Sequence, residues 1–75
     1  MIVPLSSLKP GEKGVVVDIR GGHNFRSRLV SVGLTPGVTV SVVESYGYGP
    51  IVLYVGGTRL AVGRGMASRI LVRKL

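Results

Sequence analysis

Side chains able to perform acid–base chemistry are few in this sequence. The acids are Glu12, Asp18 and Glu44, and the only histidine is His23. The acids fall in a turn, on the outer face of a predicted strand and near a strand end, although Glu44 keeps the parity of the preceding valines and could reach the rim of the core. Acid–base catalysis needs titratable groups together in a pocket. We therefore predict a protein that is not an enzyme and has no catalytic residues.

Metal and cofactor chemistry is also poorly supported. The absence of cysteine excludes disulfides, thiolate zinc sites, iron–sulfur clusters and a thiol nucleophile. His23 with Asp18 or Glu44 could bind a metal weakly at a contact between molecules, or it could simply stand beside a helix start. We predict no metal ligands and no cofactor, and a cytoplasmic location, since cysteine-free small domains fit a reducing compartment and residues 1–7 do not resemble a signal peptide.

Basic side chains give the clearest hint of a partner. Ten Lys and Arg residues give a formal net charge of +7, and they are scattered along the chain. This balance favours an acidic protein, nucleic acid or an anionic membrane surface, or it reflects a solvated surface. Arg26 and Arg28 fall near the start of a predicted helix, where the dipole favours acids. They either cover apolar surface with their stems or meet an acidic surface or a phosphate.

The aromatic residues suggest a second contact surface. Tyr46 and Tyr48 share a loop with Gly47, Gly49 and Pro50. Tyrosines in such a loop can supply contact area to a partner, or their rings can fold back over the core, and both alternatives remain open. The predicted partner-binding residues are Arg26, Arg28, Tyr46, Tyr48 and Arg64.

The elements that must position these side chains are mainly strands. Valine dominates the apolar residues, while twelve glycines and four prolines supply turns. Period-two alternation predicts about five short strands, at Val15–Ile19, Val38–Val42, Ile51–Val55, Thr58–Val62 and Ile70–Val72. The spacing of Phe25, Leu29 and Val32 predicts one short helix with Asn24 as its N-cap and Gly33 as its C-cap. We expect a compact mainly β barrel and one domain over residues 1–75.

Several segments in order are similar to a known family. They are Leu5–Glu12, Val15–Ile19, Arg28-Leu29, Gly33–Gly37, Gly49–Val52, Leu60–Arg64, Ala67 and Ile70–Val72. Over about residues 3 to 73 the chain resembles the FeoA family, small cytoplasmic proteins associated with bacterial and archaeal ferrous iron transport. The Gly33–Gly37 segment looks like the Gly-Leu-x-Pro-Gly signature of that family.

The resemblance implies a fold and a partner. It implies an SH3-like barrel with an inserted helix, and a non-catalytic role in binding the cytosolic GTP-binding domain of the membrane transporter FeoB, with membrane association only through that transporter. The alternatives are a basic nucleic-acid-binding barrel and a metal sensor. We expect no nucleic-acid partner, because single-strand binders usually present more aromatic residues than this loop offers. Pairing of an edge strand into a homodimer stays open.

The same segments also resemble the C-terminal module of iron-dependent repressors of the diphtheria-toxin type. Those proteins carry a winged-helix DNA-binding region upstream, which these 75 residues lack. A free-standing repressor is therefore not expected.

Strand parity generates the first prediction. The predicted core is Val15, Val17, Ile19, Leu29, Val40, Val42, Ile51, Leu53, Leu60, Val62 and Ile70. Replacing Leu53 by Ala should lower the free energy of unfolding by roughly 2–5 kcal/mol, because it leaves a cavity in the core. Denaturant unfolding measures this loss, and a change below about 0.5 kcal/mol would mean that the assigned parity is wrong.

Overall fold

A computed structural model describes residues 1–75, which form antiparallel strands and two helices. In chain order the elements are β1 (Ile2–Pro4), a 3-10 turn (Leu5–Ser7), β2 (Lys13–Ile19), α1 (His23–Ser31), β3 (Thr39–Ser45), β4 (Ile51–Val55), β5 (Thr58–Val62), α2 (Arg64–Ala67) and β6 (Ile70–Lys74). Neither helix is long and apolar enough to cross a lipid bilayer. The mainly β prediction is confirmed, with β1 as a sixth strand that is too short to show an alternating pattern.

All six strands join one sheet. Their order is β1-β6-β2-β3-β4-β5, and every neighbouring pair is antiparallel. The outer strands β1 and β5 do not pair with each other, so the SH3-like fold is an open sheet rather than a closed barrel. Gly56-Gly57 forms the two-residue turn between β4 and β5, as predicted, with φ of +56° and +84°.

Strand β2 differs from the predicted alternation. It pairs in register with β6 up to Val16, and Val17 is then inserted before pairing resumes. Such a bulge places two residues opposite one and shifts the side-chain parity. Val16 and Ile19 are consequently buried, with exposed fractions of 1% and 2%. The predicted core residues Val15 and Val17 are only half-buried, so the parity predicted for this strand was wrong before the bulge.

A second bulge lies in β3. The pairing with β4 shifts between Val42 and Glu44, which leaves Val43 as the extra residue. Val42 remains buried, whereas Glu44 is exposed rather than facing the core rim. The inserted residue thus explains why the parity of the preceding valines does not extend to Glu44.

The buried apolar side chains form one cluster. Predicted core residues that are buried are Ile19, Leu29, Val40, Val42, Ile51, Leu53, Val62 and Ile70. Leu60 is half-buried and packs against the cluster. Buried residues outside the prediction are Leu5, Leu8, Val16, Leu34, Val55, Ala67 and Val72. Several of these lie in turns or the short α2, where no periodic pattern marks them.

Helix α1 ends as predicted and begins differently. The amide of Gly33 donates to Val30 and that of Leu34 donates to Leu29, which is the Schellman arrangement. Gly33 has φ of +92°, a conformation that favours glycine, and Leu34 is fully buried. The N-cap is Gly22 rather than Asn24, and no side chain caps the helix.

The two ends of the described chain lie side by side. Strand β1 pairs with β6, and the amide of Lys74 donates to the carbonyl of Met1 at 2.9 Å. Lys74 Nζ also lies 2.6 Å from a carboxylate oxygen of Glu12, whose other oxygen accepts the amide of Lys9 at 2.7 Å. These bonds lower the pKa of Glu12 below its ordinary value, since both stabilise the charged form.

The β2 bulge predicts that alanine substitution destabilises the fold to different extents at two neighbouring valines. Val16→Ala should lower the free energy of unfolding by roughly 1.5–3 kcal/mol, because Val16 is fully buried. Val17→Ala should cost about 1 kcal/mol or less, since Val17 is half-buried. Urea denaturation of both variants compares them directly. A cost for Val17→Ala equal to or above that of Val16→Ala would contradict the bulge.

The lowered pKa of Glu12 predicts that the effect of its substitution on the Tm depends on pH. Because its folded pKa is lowered, ionised Glu12 stabilises the fold at neutral pH, and this stabilisation is lost as pH falls through the folded pKa. Glu12→Gln keeps an oxygen for the Lys9 amide and removes the charge. The variant should have a lower Tm at pH 7, and the difference should disappear in acid. A difference that grows with acidification would contradict this assignment.

Candidate partner-binding surface

The three acidic side chains are all engaged within the fold. Glu12 binds Lys74, an oxygen of Asp18 accepts the amide of Ile19 at 2.9 Å, and Glu44 accepts the hydroxyl of Tyr46 at 3.1 Å. No group of three His, Asp or Glu side chains comes together that could hold a metal ion. His23 is exposed at the first residue of α1. The acids therefore act as local hydrogen-bond acceptors within the fold.

The basic side chains are mostly without carboxylate partners. Of the ten Lys and Arg residues, only Lys74 forms a salt bridge. The stretches 19–43 and 45–75 contain no acid at all. Positive charge is thus left without a carboxylate partner on α1 at Arg26 and Arg28, on β5 at Arg59 and on β6 at Arg73. Such a surface attracts acidic partners over long range.

Arg64 is held inside the fold. From the start of α2, its Nη1 donates to the carbonyl of Ser6 at 3.4 Å and its Nη2 donates to the Ser45 hydroxyl at 3.2 Å and to the Tyr46 carbonyl. Its Nε is buried without a hydrogen-bond partner. These bonds join the 3-10 turn, the end of β3 and the following loop, so Arg64 positions the loop that carries the tyrosines.

The tyrosine loop presents its rings to solvent. The side chain of Tyr46 is 67% exposed and that of Tyr48 is 88% exposed, so neither ring folds back over the core. The hydrogen bond from the Tyr46 hydroxyl to Glu44 raises the pKa of Tyr46, since it stabilises the protonated phenol. Of the two alternatives for this loop, the structure shows the exposed arrangement.

The two helix arginines have different surroundings. Arg26 Nη1 donates to the carbonyl of Ile19 at 3.2 Å, which ties α1 to the end of β2. Arg28 lies in the last turn of α1, not in its first turn as predicted, because the helix has only nine residues and ends at Ser31. The dipole favours a cation at that end. Both side chains are exposed, so their charges are accessible to a partner.

An apolar groove lies beside Arg28. It has a volume of about 230 Å³ and is lined by Arg28, Leu29, Val32, Leu34, Leu60, Ala61, Val62 and Met66. Val32, which shares the predicted apolar face of the helix with Phe25 and Leu29, caps the helix, is 48% exposed and contributes to the groove. The groove therefore combines one cation with an apolar floor.

The structure brings some of the predicted residues together. Arg64 contacts the backbone of Tyr46, whereas Arg28 belongs to the groove and Arg26 to the α1–β2 contact. The groove residues Ala61 and Met66 were absent from the prediction. No sequence pattern marks them, because the groove forms only when α1, β5 and α2 come together.

Comparison with known proteins agrees with this architecture. Fe(2+) transport protein A of Methanocaldococcus jannaschii is 36% identical over 69 residues, which cover 92% of this chain and 83% of that relative. The crystal structure of an iron uptake regulatory protein, FeoA, matches with a TM-score of 0.96 and 60% identity over the whole of both chains. The solution structure of FeoA from Chlorobium tepidum matches with a TM-score of 0.88 and 30% identity, covering 97% of this chain and 70% of that chain.

The repressor resemblance is confined to the fold. A manganese-dependent transcriptional repressor matches with a TM-score of 0.89 at 20% identity, and this chain covers 42% of its length. The model of the FeoA domain, in contrast, matches residues 3–74. Because that match spans almost every residue and agrees with the relatives above, the chain belongs to the FeoA family.

Proposed function

We propose that this protein is a non-catalytic cytoplasmic accessory protein of ferrous iron uptake, which binds the cytosolic GTP-binding domain of a FeoB-type transporter. Family membership supports the link to ferrous iron transport. The observation that carries the binding role is the uncompensated positive surface, on which only Lys74 of ten basic residues is ion-paired.

The chemistry of the groove supports a binding role over a catalytic one. Its only charged lining residue is Arg28, whose guanidinium offers hydrogen-bond donors and no acceptor. A general base or nucleophile would need a different side chain there. An apolar floor with a cation at its margin suits a partner that offers both apolar and acidic side chains.

The proposal predicts direct binding. Calorimetry should detect association with the cytosolic GTP-binding domain of the FeoB-type transporter from the same genome. Arg26→Glu with Arg28→Glu should weaken it at least about tenfold, or about 1.4 kcal/mol, because both arginines are exposed and would then repel an acidic surface. Raising the salt concentration should weaken binding of the unmodified protein.

A matched control distinguishes the effect of charge at α1 on binding from the effect of net charge alone. Lys13→Glu with Arg73→Glu changes the net charge equally, but places the acids on exposed positions of β2 and β6. It should weaken binding less than the helix pair. Equal weakening by both variants would contradict a contact at α1, and Tyr46→Ala with Tyr48→Ala would then test the tyrosine loop. No binding with or without nucleotide would contradict the proposed partner.

A second candidate is favoured by the exposure of the tyrosine rings. Tyr46 and Tyr48 could stack on bases, and the net charge of +7 would attract phosphates. Calorimetry with a single-stranded oligonucleotide tests this function. Tight binding with a steep salt dependence, lost in Tyr46→Ala with Tyr48→Ala, would favour the nucleic-acid role over the transporter.

A further inference from the structure

Strand β5 leaves one row of backbone groups unpaired. It is the last strand of the sheet and pairs only with β4. The Gly56-Gly57 turn makes Val55 and Thr58 the closing pair, so the alternating pattern directs the amide and carbonyl groups of Leu60 and Val62 toward β4. Those of Arg59 and Ala61 point away from the sheet, and no backbone hydrogen bond outside the ladder engages them.

The free edge and the apolar groove are continuous. Ala61 is exposed on the edge and also lines the groove, next to Leu60 and Val62. A strand added to β5 would alternate its side chains between the two faces of the sheet. Those on the face of Leu60 would enter the groove, while those on the opposite face would lie beside the side chain of Arg59.

The positive charge around the β5 edge favours an added strand that carries acidic side chains. Arg28 lies at the groove, Arg59 lies on the edge, and β4, β5, α1 and α2 contain no acid. We propose that the β5 edge and the adjoining groove bind an extended segment of a partner protein in which apolar and acidic residues alternate. The backbone of that segment pairs with Arg59 and Ala61, its apolar side chains fill the groove, and its carboxylates pair with Arg59 on the opposite face.

A second copy of this chain is a poorer occupant. Pairing of two β5 edges in antiparallel register would bring the Arg59 side chains of both copies onto one small surface, and each copy has a net charge of +7. Charged side chains on an edge strand are a known means of preventing self-association. The same charge that repels a second copy attracts an acidic strand.

This inference deepens the proposed function, because it names the surface and the kind of segment through which the accessory protein would hold its partner. It also stands apart from the identity of that partner, since it depends only on the chemistry of the edge and the groove. Two experiments therefore separate the surface from the partner.

The first experiment uses a synthetic peptide as the probe. A capped heptapeptide that alternates glutamate and valine is titrated into the isotopically labelled protein, and amide hydrogen exchange is followed by NMR. Exchange at Arg59 and Ala61 should slow at least about tenfold at saturation, because their amides become hydrogen-bonded. The same peptide with N-methylated amides along one edge, and a lysine–valine version, should not produce this protection. Absence of protection at about 1 mM peptide, or equal binding of the N-methylated peptide, would overturn the proposal.

A proline substitution can remove a backbone donor from the free edge of β5 while leaving the hydrogen bonds between β4 and β5 in place. Ala61→Pro deletes an amide that points away from β4, a position where an edge strand tolerates proline. It should abolish peptide binding, whereas Ala61→Ser keeps the amide and should bind normally. If Ala61→Pro does not fold, the exchange measurement on the unmodified protein still decides. Unchanged binding by folded Ala61→Pro would overturn the proposal.

The second experiment repeats the exchange measurement in the complex with the cytosolic domain of the transporter. Protection of Arg59 and Ala61 in that complex would support both the partner and the surface. A complex that forms without protecting these two amides would overturn the surface and leave the partner standing. Protection by the peptide with no complex formed would support the surface and contradict the proposed partner. Protection that instead rises with protein concentration alone would overturn the acidic strand in favour of a second copy.

Discussion

The inserted residue at Val17 determines how this short chain encloses its core. A strand of strict alternation would send Val15, Val17 and Ile19 to one face, but the bulge turns Val16 and Ile19 inward instead. A chain of 75 residues buries only about 60% of its unfolded surface, so few side chains are available to fill the interior. Bulges also increase the bend of the strand that carries them. The bulges in β2 and β3 therefore let one open sheet serve as most of the wall of the core.

The end of α1 connects this core to the candidate surface. Leu34 is drawn into the interior directly after Gly33, whose positive φ allows the chain to reverse. Fixing Leu34 there leaves Val32 at the cap and outside the core, where it joins Leu29 and Met66 along the groove. The groove therefore results from the way in which α1 ends at Gly33 and Leu34. At the start of α2, Arg64 fixes the position of the tyrosine loop through its bonds to Ser45 and Tyr46.

Much of this architecture could be predicted from the sequence, because alternating valines, paired glycines and Gly33 each carry a local signal. The strands β3 to β6, the helix and its C-cap followed from those signals. The bulges did not, since one extra residue in a run of valines leaves the composition of the strand unchanged. The burial of Leu5 and Leu8 could not be predicted either, because both lie in a turn-rich segment without hydrophobic periodicity.

The candidate site was harder to predict than the fold. Residue type and charge were enough to single out Arg26, Arg28, Tyr46, Tyr48 and Arg64, and the exposure of the two tyrosines agrees with a contact surface. Residue type could not reveal that Arg64 is occupied by acceptors distant in sequence, such as the carbonyl of Ser6. Nor could it reveal the groove, whose lining comes from three separate elements.

The pairing of β1 with β6 has a consequence for larger architectures. Because Ile2 lies opposite Arg73, any polypeptide joined before or after this fold would leave from neighbouring points at one margin of the sheet. Adjacent entry and exit points allow a unit to be appended to, or inserted into, another protein with little rearrangement of either. The strand order puts that attachment margin at the opposite end of the sheet from β5. The same fold can therefore be joined to other domains through its β1–β6 margin while the β5 edge stays accessible.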